Sequence, residues 1–215
     1  MKKEKKAIIL FSGGLDSTTV LCYALSKGYK CESLIFNYGQ RHDREIKSAV
    51  KIAEKLKVRY SIVSLSLPWS KDALTNKSIK VPKNKVIAQK IPITYVPGRN
   101  TLFLSYGLSF AESIKAQSIF IGANALDFSG YPDCRPQFIE AYNKLLKALG
   151  LKIKIKAPLI HMTKAQIIKL GTKLKTPYKY TWSCYNGLKK PCGKCDSCKL
   201  RAKGFKEAGL NDPSA

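Results

Sequence analysis

Five apolar residues, Ala7-Ile8-Ile9-Leu10-Phe11, run without a break into Ser12-Gly13-Gly14-Leu15-Asp16-Ser17. An uninterrupted apolar run of this length belongs to a strand covered on both faces, as in a parallel sheet with helices on each side. Two glycines directly after it let the backbone approach an anion closely, while the first amides of the following helix point at that anion with the helix dipole behind them. Ser12, Ser17 and Thr18 add hydroxyl donors. The Gly-Lys-Ser/Thr ending of the common triphosphatase loop is missing, so no lysine is placed to pull on a terminal phosphate, and the loop suits a pyrophosphate. The alternative is a plain glycine turn whose Asp and Ser cap a helix.

The rest of the chain alternates in the same way. Leu15 to Ser26 reads as a helix stopped near Gly28, Ser33–Phe36 as a strand, Arg44 to Leu56 as a helix and Tyr60–Leu65 as a third strand. A helix from Asn100 through Ala111, a strand at Ile119–Gly122, a helix from Pro136 to Leu149 and a short one from Thr163 to Leu170, ended by Gly171, complete the series. The expected fold is α/β, a Rossmann-like, doubly wound, mostly parallel five-stranded sheet, with a C-terminal zinc-binding subdomain. Residues 1–175 would form the α/β domain and 176–215 the metal-binding segment. Between Pro68 and Pro97, with Pro82 and Pro92 inside, no period of 2 or 3.6 is sustained, and a long, mobile flap is expected there.

Composition narrows the function classes. The 215 residues hold no run of eighteen apolar residues, and the start offers too few for a signal-peptide core, so a cytoplasmic chain without membrane contact is expected. The net charge of +25 would attract polyanions at low salt. Only 6 of the 39 basic residues are Arg, and the Lys are scattered along the whole chain, so a solvated lysine-rich surface and a nucleic-acid face both stay open.

Cys184, Cys192, Cys195 and Cys198 follow a C-x7-C-x2-C-x2-C spacing. Two overlapping C-x2-C steps bring three thiolates to one cation, and Cys184 completes a tetrahedron with Zn–S bonds of about 2.3 Å. Such a closed site has no position for water, so its part is in folding. An iron–sulfur cluster and redox-active dithiols remain alternatives. Cys22, Cys31 and Cys134 carry no assignment as nucleophiles.

Ser-Gly-Gly-x-Asp-Ser resembles the pyrophosphate (PP) loop of the N-type ATP pyrophosphatases. Asn37-Tyr38-Gly39-Gln40-Arg41-His42, Val96-Pro97-Gly98-Arg99-Asn100, the stretch from Gly122 to Pro136 and Cys192-Gly193-Lys194-Cys195-Asp196-Ser197-Cys198 extend the likeness. As an ordered set they resemble the 7-cyano-7-deazaguanine synthase family over nearly the whole chain. The resemblance implies an ATP-dependent ligase of the queuosine pathway, which converts 7-carboxy-7-deazaguanine and ammonia to the 7-cyano base. It would use ATP with Mg²⁺ and one structural Zn²⁺, need no nucleic acid, and leave a homodimer open. A carboxylate is a poor electrophile until esterified to phosphate; adenylation supplies that ester, and a second activation takes the amide to the nitrile.

Carried over residue by residue, the resemblance assigns nucleotide binding to Leu10, Phe11, Ser12, Gly13, Gly14, Leu15, Asp16, Ser17, Thr18, Thr19 and Val20. Asp16 either caps the helix or holds Mg²⁺. Arg99 either neutralises phosphate or carboxylate charge or forms a surface ion pair, and Lys164 either reaches the phosphates or is solvated. Asp133 and Arg135 either recognise the heterocycle's edge and carboxylate or brace their loop as a buried pair. His42 is a candidate nucleotide contact. The competing functional readings are a tRNA-modifying enzyme of the same loop class, such as a thiolase, and a zinc-ribbon nucleic-acid module without catalysis.

Overall fold

The computed structural model describes residues 4–83, 91–125 and 130–214. Five strands, β1 (Lys5–Leu10), β2 (Tyr29–Asn37), β3 (Arg59–Ser64), β4 (Ser118–Phe120) and β5 (Lys154–Lys156), form one sheet in the order β3-β2-β1-β4-β5. Every pairing is parallel, with Ala7 opposite both Cys31 and Ser118. Among the described residues six α-helices accompany them: α1 (Leu15–Ser26), α2 (Arg44–Lys55), α3 (Arg99–Ser113) and α4 (Pro136–Ala148) connect successive strands, and α5 (Lys164–Lys173) and α6 (Asp196–Ala208) follow β5.

The apolar run of β1 is spent on both faces. Ala7, Ile9 and Phe11 face a core shared with α1, α2, α5 and α6, through Val20, Ile52, Ile167 and Phe205. Ile8 and Leu10 face the opposite core, with Leu104 of α3 and Leu146 of α4. Alternate residues pointing to opposite faces, all apolar, are what a doubly covered strand requires. The chain builds outward from β1 to β3 and then crosses to β4 on the other side of β1. Ligands of open α/β sheets bind in the crevice created by such a reversal, beyond the carboxyl ends of the strands.

Two expectations change, and one helix is added to them. Gly171 does not end its helix but lies within α5, where a Cβ would meet the Tyr178 hydroxyl at 1.8 Å, so this glycine serves close packing rather than capping. The helix α6 was not anticipated; Gly204 lets it lie against α5, since a Cβ there would meet Lys164 Cγ at 2.3 Å. The expected flap at 68–97 is largely a packed strap in its described parts. Ala73 and Val81 are buried against Cys184, Cys195 and Cys198, Asp72 accepts the amides of Leu74 and Thr75, and the Arg41 guanidinium donates to the carbonyls of Ala73, Asn76 and Ile79. Residues 84–90 of that stretch, and Leu126–Ser129 of the Gly122–Pro136 segment, lie outside the described residues. Among the described residues no helix is long and apolar enough to cross a membrane.

Candidate active site and metal centre

Beyond the carboxyl ends of β1 and β4 lies a cavity of about 240 Å³. Because all strands run one way, helices that follow them start at the same end, and first-turn residues of α1, α2, α3 and α5 line it, Asp16, Glu45, Arg99 and Lys164, joined by Ser197 from the start of α6. The unpaired first-turn amides and the dipoles of these helices favour negative charge at such a place.

The glycine loop forms one wall. Gly13 holds a φ of +72°, and a Cβ on it would lie 2.4 Å from the Ala49 amide nitrogen, so α2 rests directly on the loop. Gly122, at the end of β4, is close enough to α1 that a Cβ would stand 3.1 Å from the Ser17 amide nitrogen. Both glycines are therefore needed for backbone approach. The hydroxyls of Ser12 and Ser17 are 3.0 Å apart and face the cavity with Gly14 and Asp16. Deeper in α1, Thr18 donates to the Gly14 carbonyl, Thr19 bonds the Leu15 carbonyl and the Tyr178 hydroxyl, and Val20 is core. Of the eleven nucleotide-binding candidates, Leu10, Phe11, Ser12, Gly14, Leu15, Asp16 and Ser17 line the cavity, while Gly13, Thr18, Thr19 and Val20 support it from behind.

Asp16 and Lys164, distant in sequence, form a buried ion pair, with Lys164 Nζ 2.7 Å from each carboxylate oxygen and side-chain exposures of 18% and 9%. The helix cap at α1 is Gly14, without a side-chain bond, so Asp16 is not the cap, and Lys164 is buried rather than solvated. Thr163 and Gln166 close a capping box that fixes the start of α5 and so aims Lys164. Removing one member of such a pair strands the other's charge, at a cost of about 3–5 kcal/mol. We expect Lys164→Met to lose about 3 kcal/mol of unfolding free energy and Lys164→Met with Asp16→Asn to lose less than the sum, as read by a denaturant double-mutant cycle.

Arg99 opens α3 after Gly98, whose φ of +66° turns the chain into the helix. Its guanidinium sits over Tyr38 and Phe103 and donates to the Tyr38 hydroxyl at 3.4 Å. No ion pair engages it among the described residues, which removes the surface ion-pair reading. Asp133 and Arg135 part company. Asp133 is buried; its carboxylate accepts the Asn100 amide at 3.2 Å while the Asn100 side chain returns a bond to the Asp133 carbonyl, so it braces the start of α3. Burial raises its pKa, and the Arg99 charge and the Asn100 amide pull it back. Arg135 is exposed, so the two do not form a buried pair, and neither lines the cavity.

His42 is not among the residues that line the cavity. Its Nε2 lies 3.1 Å from the Cys184 carbonyl and its ring packs edge-on to Trp182, so it ties the segment after β2 to the cysteine cluster rather than to a ligand. The sulfurs of Cys184, Cys192, Cys195 and Cys198 lie within 4.8 Å of one another. A tetrahedron with 2.3 Å bonds has edges of about 3.8 Å, so the four can close on one metal ion with little movement. Backbone amides of Asn186 and Cys192 point at Cys184 Sγ and those of Lys194 and Cys195 at Cys192 Sγ, donors that favour thiolates. Bonding from Cys195 and these amides lowers the Cys184 pKa. Burial, by contrast, pushes the Cys134 thiol up to about 12, an inert form.

Two groups escaped the reading of the sequence. Arg201 of α6 grips Asp212 through two bonds of 2.6 and 2.9 Å and also bonds Thr181, holding the C-terminal segment against the cavity. Glu45, in the first turn of α2, lines the cavity, and burial pushes its carboxyl up to about 7 against the pull of Arg99.

The arrangement is that of a PP-loop α/β protein with an appended tetracysteine site. Consistent with this fold, the structure of a 4-thiouridine synthetase–RNA complex with bound ATP superposes with a TM-score of 0.54 at 20% identity, covering 95% of this chain and 50% of that one. The chain belongs to the queuosine biosynthesis protein QueC family, whose sequence model matches residues 6–209. It is 53% identical to the 7-cyano-7-deazaguanine synthase of Picrophilus torridus, covering 95% of this chain and 88% of that one. With the 7-cyano-7-deazaguanine synthase of Thermoplasma volcanium it shares 51% over 97% and 90%.

Proposed function

We propose that the protein is an ATP-dependent ligase that makes 7-cyano-7-deazaguanine from 7-carboxy-7-deazaguanine and ammonia. The observation that carries this reading is the convergence of the glycine loop, Arg99 and the Asp16–Lys164 pair on one cavity, in a chain about half identical to named synthases. Ser12, Ser17 and the first amides of α1 would bind the ATP phosphates with Mg²⁺, and Lys164, held by Asp16, would lie beside them. Arg99 would offset the charge of phosphate or carboxylate as the acyl adenylate forms. Asp133 would fix the start of α3, and with it Arg99, while Arg135, exposed and outside the cavity lining, is the candidate to meet the substrate's carboxylate from the loop after β4. Each round would release pyrophosphate, first making the amide and then activating its oxygen for dehydration.

The four cysteines fit a structural Zn²⁺, held by 176–215 against the α/β domain of 1–175, and the reduced thiols suit the cytoplasm. A homodimer belongs to the same reading. Incubation with ATP, Mg²⁺, ammonia and the carboxy base, without RNA, should yield the cyano base with AMP and pyrophosphate. ADP without AMP would remove the adenylation step, and a requirement for tRNA would favour the thiolase class instead. Iron with visible absorbance in the purified protein would replace zinc by an iron–sulfur cluster.

A further inference from the structure

Two carboxylates stand on the cavity wall: Lys164 holds Asp16, whereas no hydrogen bond engages the Glu45 carboxylate among the described residues. Its place is fixed twice: α2 starts on the glycine loop, with the Glu45 carbonyl oxygen only 2.8 Å from where a Gly13 Cβ would be, and the side chain turns to the cavity wall. The groups around it come from several elements: Arg99 of α3, Tyr38 after β2, and Cys184 and Tyr185 of the C-terminal segment. The Arg99 charge marks where an anionic acyl phosphate would lie, and a lone acid beside it repels that ligand. It is suited instead to a small cation, and a ligase of this kind must accept one, since ammonia at neutral pH is almost all ammonium, which has no lone pair.

We propose that Glu45 binds the incoming ammonium ion and takes its proton, so that ammonia is delivered as a nucleophile to the activated carboxyl carbon. This rests on the ligase reading above. Ammonium passes one proton to the Glu45 carboxylate, and the freed nitrogen lone pair forms the C–N bond. The bond between the acyl carbon and the phosphate oxygen breaks, AMP departs with its electron pair, and the second proton leaves the nitrogen for the departing phosphate. A base whose carboxyl sits near the working pH is well matched to this transfer, and burial supplies that match here.

The test compares the wild type with Glu45→Gln, which keeps the side chain's shape. Substrate-dependent pyrophosphate exchange, measured without ammonia, should stay within about threefold, whereas kcat/KM for ammonium near neutral pH should fall by about 100-fold or more. The loss should shrink as pH rises and free ammonia accumulates, and hydroxylamine, already neutral, should react at close to the wild-type rate. An equal loss with hydroxylamine, unchanged ammonium kinetics, or abolished exchange in a folded variant overturns the proposal. Stability provides a second readout. A carboxyl at about 7 in the fold against 4.5 ordinarily binds its proton more tightly when folded, so the wild type loses stability as pH climbs through that window and the variant does not. Above neutrality Glu45→Gln should therefore melt higher than the wild type; a lower melting temperature would make Glu45 a structural partner and overturn the assignment. A wild type that makes no cyano product is a different result, which removes the ligase reading itself.

Discussion

Cys184→Ser is expected to abolish stoichiometric metal binding and lower the melting temperature by about 10 °C or more, and stripping the wild type with a chelator should do the same. For a chain of this length each kcal/mol shifts the melting point by about 2–4 °C, and structural zinc in small peptides contributes about 10–16 kcal/mol of apparent binding energy. The effect should be large because Cys184 is a junction. Its sulfur accepts two amides, its carbonyl accepts the Trp182 indole at 2.8 Å and lies against His42, and Ala73 and Val81 of the strap pack over the cluster. Losing it frees the strap, the start of α6 and the Trp182–Tyr185 wall of the cavity together. Cys22→Ser, on α1 and away from the cluster, should leave metal content unchanged. A metal-free protein that melts where the wild type does would show that the cluster is not a staple.

The second large effect is expected at Gly13. Its backbone is left-handed, and the missing Cβ is replaced in space by the Ala49 backbone at 2.4 Å and the Glu45 carbonyl at 2.8 Å. Gly13→Ala must therefore both bear the conformational cost, of about 1–2 kcal/mol, and push helix α2 off the loop. Displacing α2 carries Glu45 and Ile46 out of the cavity wall, so ATP-dependent turnover should fall by more than about 100-fold, since misplacing groups by about 1 Å costs that much. Gly28 separates the two causes. It has nearly the same φ, +74°, with nothing within 4 Å of an added Cβ, so Gly28→Ala should show only the conformational cost and keep full activity. Equal damage at both positions would mean that crowding by α2 is not the reason.

The doubly covered β1, the extent of α1 and the cysteine set were legible because each is a local signal: an apolar run, a glycine stop, a fixed spacing. What was missed depends on partners. Lys152-Ile153-Lys154-Ile155-Lys156 alternates as an edge strand should, yet three residues of β5 form only because β4 is there to pair with. Helix α6 hides behind ligand cysteines and needs Gly204 against Lys164 to dock. Gly171 looks like a stop until Tyr178 is found where its side chain would be. The strap has no period of its own, because Arg41 and the buried cysteines, not a repeating face, hold its described residues down. Asp16 and Lys164 were both singled out, but 148 residues of separation conceal that they pair. Glu45 belongs to no motif and gains significance only from the helix ends that surround it.

The uniform direction of the sheet has one more consequence. The field drawn by dispersed lysines on the outside is shared with the surrounding electrolyte and fades within about 8 Å at physiological ionic strength. The partial charges gathered where the helices begin are enclosed by low-polarisability walls and keep their strength there. Adding salt would thus weaken loose attraction of polyanions to the exterior far more than the proposed hold on a phosphorylated molecule seated within, so selectivity between the two would grow as the solution becomes more saline.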